Sequence, residues 1–173
     1  MTTPITQDDY SLANSRTQLL QIRDDIMGNP NAMEKYSGFV EAAEYFEPAE
    51  LSEIVGGLFI TSRDGVEEAI MNGHFIINVT PRGELDTYYD AQIGLRPYEP
   101  TIIPKLNGLS QLIKSLSASN CNVTVHCSMG MERSVLAVAY YLNGEYDMSL
   151  NEAYAHIIAQ RPIALDRRDW AGL

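Results

Sequence analysis

Residues 123–142 read VTVHCSMGMERSVLAVAYYL, and within them Cys127 stands six positions before Arg133 with Gly130 between. The segment passes from an apolar, β-rich stretch through a short loop into an apolar helical stretch. The first amides of a helix lack internal partners and carry the positive end of its dipole, so such a junction is an anion site. Gly130 permits the tight backbone path on which successive N–H groups converge into a nest. Arg133 adds a planar fork of donors that fits two oxygens of a phosphate. The same surroundings are those in which a thiol gives up its proton near neutral pH. A thiolate at the floor of a phosphate cradle is a nucleophile aimed at phosphorus. This loop therefore has the parts both to hold a phosphate and to attack it.

The elements that must position the loop are legible on either side. EIVGGLFITS reads as strand, Gly56-Gly57 turn and strand, and DGVEEAIMNGH as a helix closed by Asn72-Gly73. FIINVT is a buried strand, and a short strand is expected at Tyr88–Leu95. IPKLNGLSQLIKSLSAS repeats apolar residues at helical spacing, with Pro104 in its first turn. NVTVHC is a strand, RSVLAVAYYLNGEY a buried helix, and SLNEAYAHIIAQRP a last helix opened by a Ser149–Glu152 capping box. Strands alternating with helices predict an α/β fold: a three-layer sandwich whose central sheet is mostly parallel and flanked by helices. Residues 1–48 read as an extension, either two amphipathic helices packed on the domain or an arm that binds a partner or covers the substrate, with the catalytic domain at 49–173.

Composition sets the outer limits. The chain has 173 residues, 45% apolar and 20% charged, the balance of one globular domain. No apolar run reaches the roughly 18 to 20 residues that span a bilayer, and no secretory leader is visible. Two cysteines, Cys121 and Cys127, are too few for a disulfide framework, so a cytoplasmic location is expected. The net charge of −11, from 23 acidic against 12 basic residues, repels nucleic acid and anionic membrane at long range. Any anion site must be built locally against that field.

HCSMGMERS resembles the His-Cys-x5-Arg-Ser/Thr signature of cysteine-dependent protein tyrosine phosphatases, in their dual-specificity branch. The likeness runs over roughly residues 52–163, and it implies a protein tyrosine phosphatase-like fold. It also implies roles. Cys127 forms a cysteinyl-phosphate, and Arg133 holds the phosphoryl oxygens. The backbone amides of Ser128, Met129, Gly130, Met131, Glu132 and Arg133 line the cradle. Ser134 helps the sulfur leave, and His126 orients the loop. The implied substrate is a protein carrying phosphotyrosine, phosphoserine or phosphothreonine, and no metal or organic cofactor is needed.

Two features depart from that pattern. The family places an aspartic acid ahead of the long helix to protonate the departing oxygen. Here that neighbourhood is IGLRPYEPT, which has none. Glu99 is the nearest carboxylate, Asp90 and Asp86 lie upstream, and a chain with no working acid is the remaining reading: a phosphate-binding pseudophosphatase. Glu132 beside Arg133 opposes an anion if it points inward, so it is expected to face outward onto a base. A cradle without lysine argues against a phosphoinositide headgroup. Cys121 is expected to be structural, and His74 and His156 to be packing residues. Arg167 or Arg168 reads either as a steering cation at the rim or as part of a solvated tail with Trp170 packed on the domain. Tyr88, Tyr89 and Tyr98 fall on the loop expected to overhang the pocket.

Overall fold

The structure, a computed structural model, describes residues 46–173. The helices expected within residues 1–48 lie outside the described residues. Five strands form one sheet in the order β1-β2-β5-β3-β4. They are β1 (Ser52–Val55), β2 (Leu58–Thr61), β3 (Phe75–Asn78), β4 (Ala91–Gln92) and β5 (Val123–His126). Gly57, at φ +81°, makes the tight reversal that pairs β1 with β2 antiparallel. Every other pair in the sheet is parallel. The α-helices among the described residues are α1 (Val66–Met71), α2 (Ile102–Ala118), α3 (Arg133–Glu145) and α4 (Leu150–Gln160).

Successive strand residues face opposite sides of a sheet, and β3 shows what each side meets. Ile77 joins a large core with Leu106 and Leu109 of α2, Val138 of α3 and Ile157 of α4. Its neighbour Ile76 packs instead on Val66 and Ala69 of α1. The sheet is thus the middle of three layers, as the alternation predicts. β5 lies at its centre and is buried along its whole length. Helix α3 is apolar nearly all round, with Ser134 through Ala139 all buried, which is the pattern of an interior helix. Its amino terminus is therefore fixed in place by packing on several sides.

Local signals end the elements where the sequence predicts. Ser149 Oγ accepts from the Glu152 amide at 3.1 Å to open α4. Pro162 excludes the helical conformation from the residue before it, and α4 stops at Gln160. The strand expected over Tyr88–Leu95 is shorter, with only Ala91–Gln92 on the ladder of β3. On its amino side the Asp90 carboxylate takes the Ile76 amide at 2.8 Å. On its other side Gly94 lies so close to Pro81 that an added Cβ would come within 2.7 Å of its Cα.

Candidate active site

The register of β2, β5 and β3 sets Thr61, His126 and Asn78 side by side at the carboxyl end of the sheet. Cys127 follows at once, where ligands bind in open α/β sheets. The four carbonyls after it are each held by a donor. Ser128 O accepts from the Arg63 amide at 3.0 Å and Met131 O from the Leu165 amide at 2.9 Å. Met129 O accepts from Arg161 Nη2 at 3.0 Å and Gly130 O from Arg161 Nε at 2.7 Å. In a planar trans peptide the C=O and the following N–H point in opposite directions. Holding these carbonyls outward turns the amides of Met129, Gly130, Met131 and Glu132 to the concave side of the loop. Gly130 has φ +66°, and a Cβ there would come within 2.6 Å of both Arg161 Nη2 and Thr61 O. Only glycine fits.

Cys127 is almost fully buried, with Sγ 3.2 Å from Ser134 Oγ in the first turn of α3. His126 is wholly buried, which lowers its pKa, although its bond to Cys127 O pulls the other way. Since a carbonyl only accepts, His126 Nδ1 is the donor in that 3.2 Å contact. A neutral imidazole fixes the backbone and supplies no charge to the sulfur.

Arg133 meets a partner the sequence gave no sign of. Its Nη1 and Nη2 reach Glu84 Oε2 and Oε1 at 2.9 and 2.8 Å, an end-on bidentate pair. Burial would lower the guanidinium pKa. The Glu84 hydrogen bonds, with the charges of Cys127 and Glu132, outweigh it and raise the pKa. Glu132 turns away from the loop onto the fully buried Arg167, Nε to Oε2 at 2.9 Å. Burial raises the Glu132 pKa, against the pull of Arg167.

Glu99 is placed otherwise than a general acid requires. Its carboxylate accepts from Thr101 Oγ1 at 2.8 Å and the Arg96 amide, and pairs with Lys105 Nζ at 2.6 Å. Burial favours its protonated form, but Lys105, Thr101 and the Arg96 amide outweigh that and leave its pKa lowered. A carboxyl held by three donors is an acceptor at neutral pH, an arrangement unlike that of a ready proton donor. Asp90 accepts from the Ile76 amide and from Tyr88 OH, and Asp86 is exposed on the same loop. Glu99→Gln is accordingly expected to lower Tm by a few degrees at pH 7 and leave the pH–rate profile unchanged. A carboxyl with a depressed folded-state pKa stabilises above its unfolded value and loses that contribution as pH falls through the folded one. The Tm difference should therefore shrink below pH 4.5, the ordinary value of this carboxyl. Melting curves across pH check it.

The tail arginines are turned onto neighbouring side chains, and Trp170 packs against the core as expected. Arg167 is buried on Glu132 and over the Trp170 ring, and Arg168 chelates Asp166 while covering Tyr154. Both guanidiniums are spent on packing and pairing. Tyr98, at φ +59°, fastens its loop to the tail through Tyr98 N to Trp170 O and its hydroxyl to Asp169. Cys121 is exposed, at the opposite end of β5 from Cys127. His74 pairs with Thr124 Oγ1 at 2.8 Å and His156 with Ile54 O. Among the described residues no cluster of three or more His, Cys, Asp or Glu is arranged to hold a metal ion. Nor is any described helix long and apolar enough to cross a membrane.

The family model described as "Dual specificity phosphatase, catalytic domain" matches residues 66–171, and the chain belongs to that family. It is similar to human Protein phosphatase Slingshot homolog 3, 35% identical over 63 residues, 36% of this chain and 10% of that protein. It is also similar to human Dual specificity protein phosphatase 16, 39% identical over 61 residues, 35% of this chain and 9% of that one. The chain thus spans about a tenth of the length of these curated relatives. The crystal structure of human DUSP28 shares its fold at TM-score 0.60 and 18% identity, covering 73% of this chain and 89% of that one.

Proposed function

We propose that this protein hydrolyses phosphomonoesters of phosphorylated proteins through a cysteinyl-phosphate on Cys127. The reading rests on one observation above all: the carbonyls of Ser128 to Met131 are each held by a donor from outside the loop, which by peptide planarity turns the four following amides the opposite way. In the first step the Cys127 thiolate attacks phosphorus and the phosphorus–oxygen bond to the leaving group breaks. The amides and Arg133 stabilise the charge on the oxygens that stay. In the second step water attacks the cysteinyl-phosphate and sulfur leaves as a thiolate, with Ser134 Oγ–H at 3.2 Å as its donor. The products are inorganic phosphate and the regenerated thiolate.

The Glu84 pair bears on how Arg133 takes part. An end-on pair uses one hydrogen from each terminal nitrogen, leaving Nε–H and the second Nη2 hydrogen on the guanidinium's side edge. That edge serves the phosphate, and Glu84 holds it at a fixed angle. Glu84→Ala should lower kcat/KM for para-nitrophenyl phosphate by about 10- to 10²-fold, the scale on which misplacement of a binding group acts. A rise in kcat/KM would mean that Glu84 competes with the substrate.

With Glu99 committed elsewhere, water protonates the departing oxygen, and phosphotyrosine is the favoured substrate because a phenoxide leaves readily. The second reading, a phosphate-binding pseudophosphatase, is favoured by the same observation on Glu99. Rapid-quench reaction with para-nitrophenyl phosphate, followed by mass spectrometry of the Cys127 peptide, separates the two. A burst of nitrophenolate with phosphate on sulfur supports the enzyme. Tight phosphate binding with no phosphoenzyme and no nitrophenolate leaves the pseudophosphatase.

A further inference from the structure

We infer that Arg161 is a positioning residue for the phosphate cradle: its buried guanidinium fixes the Met129 and Gly130 carbonyls outward and so aims the Gly130 and Met131 amides inward. The inference rests on the reading of this loop as a phosphate site.

Arg161 lies just past α4, where Pro162 forces it out of the helix to φ −136°, ψ 87°. Its side chain is fully buried. Nε donates to Gly130 O at 2.7 Å, and Nη2 to Pro48 O at 2.8 Å and Met129 O at 3.0 Å. Nη1 donates to Ser52 Oγ at 3.0 Å, Glu50 O at 3.1 Å and Ile60 O at 3.4 Å. The planar fork thus ties two consecutive loop carbonyls to the segment before β1, to β1 itself and to β2. Its shortest bond goes to the loop.

Burying a guanidinium is unfavourable before its bonds are counted. Burial lowers the Arg161 pKa to about 10 even against the opposing charges of Cys127 and Glu50. That coupling gives the buried cation a second effect. It stands behind the loop, on the side away from the ligand, and polarises the carbonyls it binds. Hydrogen bonds in series strengthen one another, so the amides on the far side of those peptides become better donors. Lysine would keep the charge but not the fork that spans two carbonyls and the sheet.

The test uses the full chain and orthovanadate, with calorimetric Kd, steady-state kinetics on para-nitrophenyl phosphate, and melting curves. Arg161→Lys and Arg161→Gln, assayed well below their melting temperatures, should each weaken vanadate binding at least about 10-fold and raise KM by a larger factor than they lower kcat. A residue that only stabilises the fold would lower Tm and leave the vanadate affinity unchanged. A folded Arg161→Lys protein with vanadate affinity within about twofold of the parent overturns the inference. If neither variant folds, Ser52→Val decides, since it removes one acceptor and presses on Nη1 from outside the loop. Weaker vanadate binding at an unchanged fold supports the role, and unchanged binding overturns it. Failure of the parent protein to bind vanadate is a different result, and it removes the cradle reading itself.

Discussion

Cys127→Ser is expected to abolish turnover, by about 10⁴-fold or more, the scale on which loss of a catalytic nucleophile acts. Binding of phosphate or vanadate should survive in the same protein. The two outcomes separate because the structure separates the two tasks. The loop amides are aimed by bonds to Arg63, Arg161 and Leu165, none of which involves the Cys127 side chain. A serine hydroxyl does not ionise near neutral pH, and His126, held neutral by burial and donating to Cys127 O, is not placed to take its proton. Steady-state rates with para-nitrophenyl phosphate and calorimetry with vanadate check both halves. Turnover in the serine variant comparable to that of the parent would remove the covalent route. Loss of binding together with turnover would mean that the sulfur is also a structural part of the cradle.

Much of this site could be read before any coordinates, and the reasons differ from residue to residue. Cys127, Gly130, Arg133 and Ser134 lie within eight consecutive positions, where strand-to-helix geometry constrains every one of them. The outward turn of Glu132 was also predictable, because an inward carboxylate would repel the anion, but its partner Arg167 lies 35 residues away and carried no local mark. Arg161 was visible only as the residue before a proline, a signal that ends a helix but says nothing of where the side chain goes. Glu84 gave no signal at all. It stands in the turn-rich stretch TPRGELDTYYD, and the fold alone brings it to Arg133, 49 residues further on. The surroundings of Glu99 were hidden for a related reason. Distance along the chain put a carboxylate near the right place, but the Arg96 amide, Thr101 and Lys105 claim it within its own turn. Residues tied to one loop by covalent spacing were legible, and those joined across the fold were not.

The holding of Glu99 as an acceptor sets the second large effect, a steep dependence of rate on the leaving group. A positioned acid contributes about 10²- to 10⁴-fold where the departing oxygen is a strong base and little where it is a weak one. Nitrophenolate leaves without help, a tyrosyl oxygen needs some, and a seryl alkoxide needs much. With water as the proton source, kcat/KM should fall across para-nitrophenyl phosphate, a phosphotyrosine peptide and a phosphoserine peptide of the same sequence. The last step should be about 10²-fold or more. Glu99→Gln should not change the series, because its carboxylate is already held as an acceptor by Lys105, Thr101 and the Arg96 amide. Equal rates on the two peptides would require an acid that reaches the leaving oxygen only once substrate is bound. Asp90 would have to surrender the Ile76 amide and Tyr88 to do so, whereas Asp86, exposed on the same loop, would need only a change in its course. Asp86→Asn should then restore the steep series, and Asp90→Asn should not.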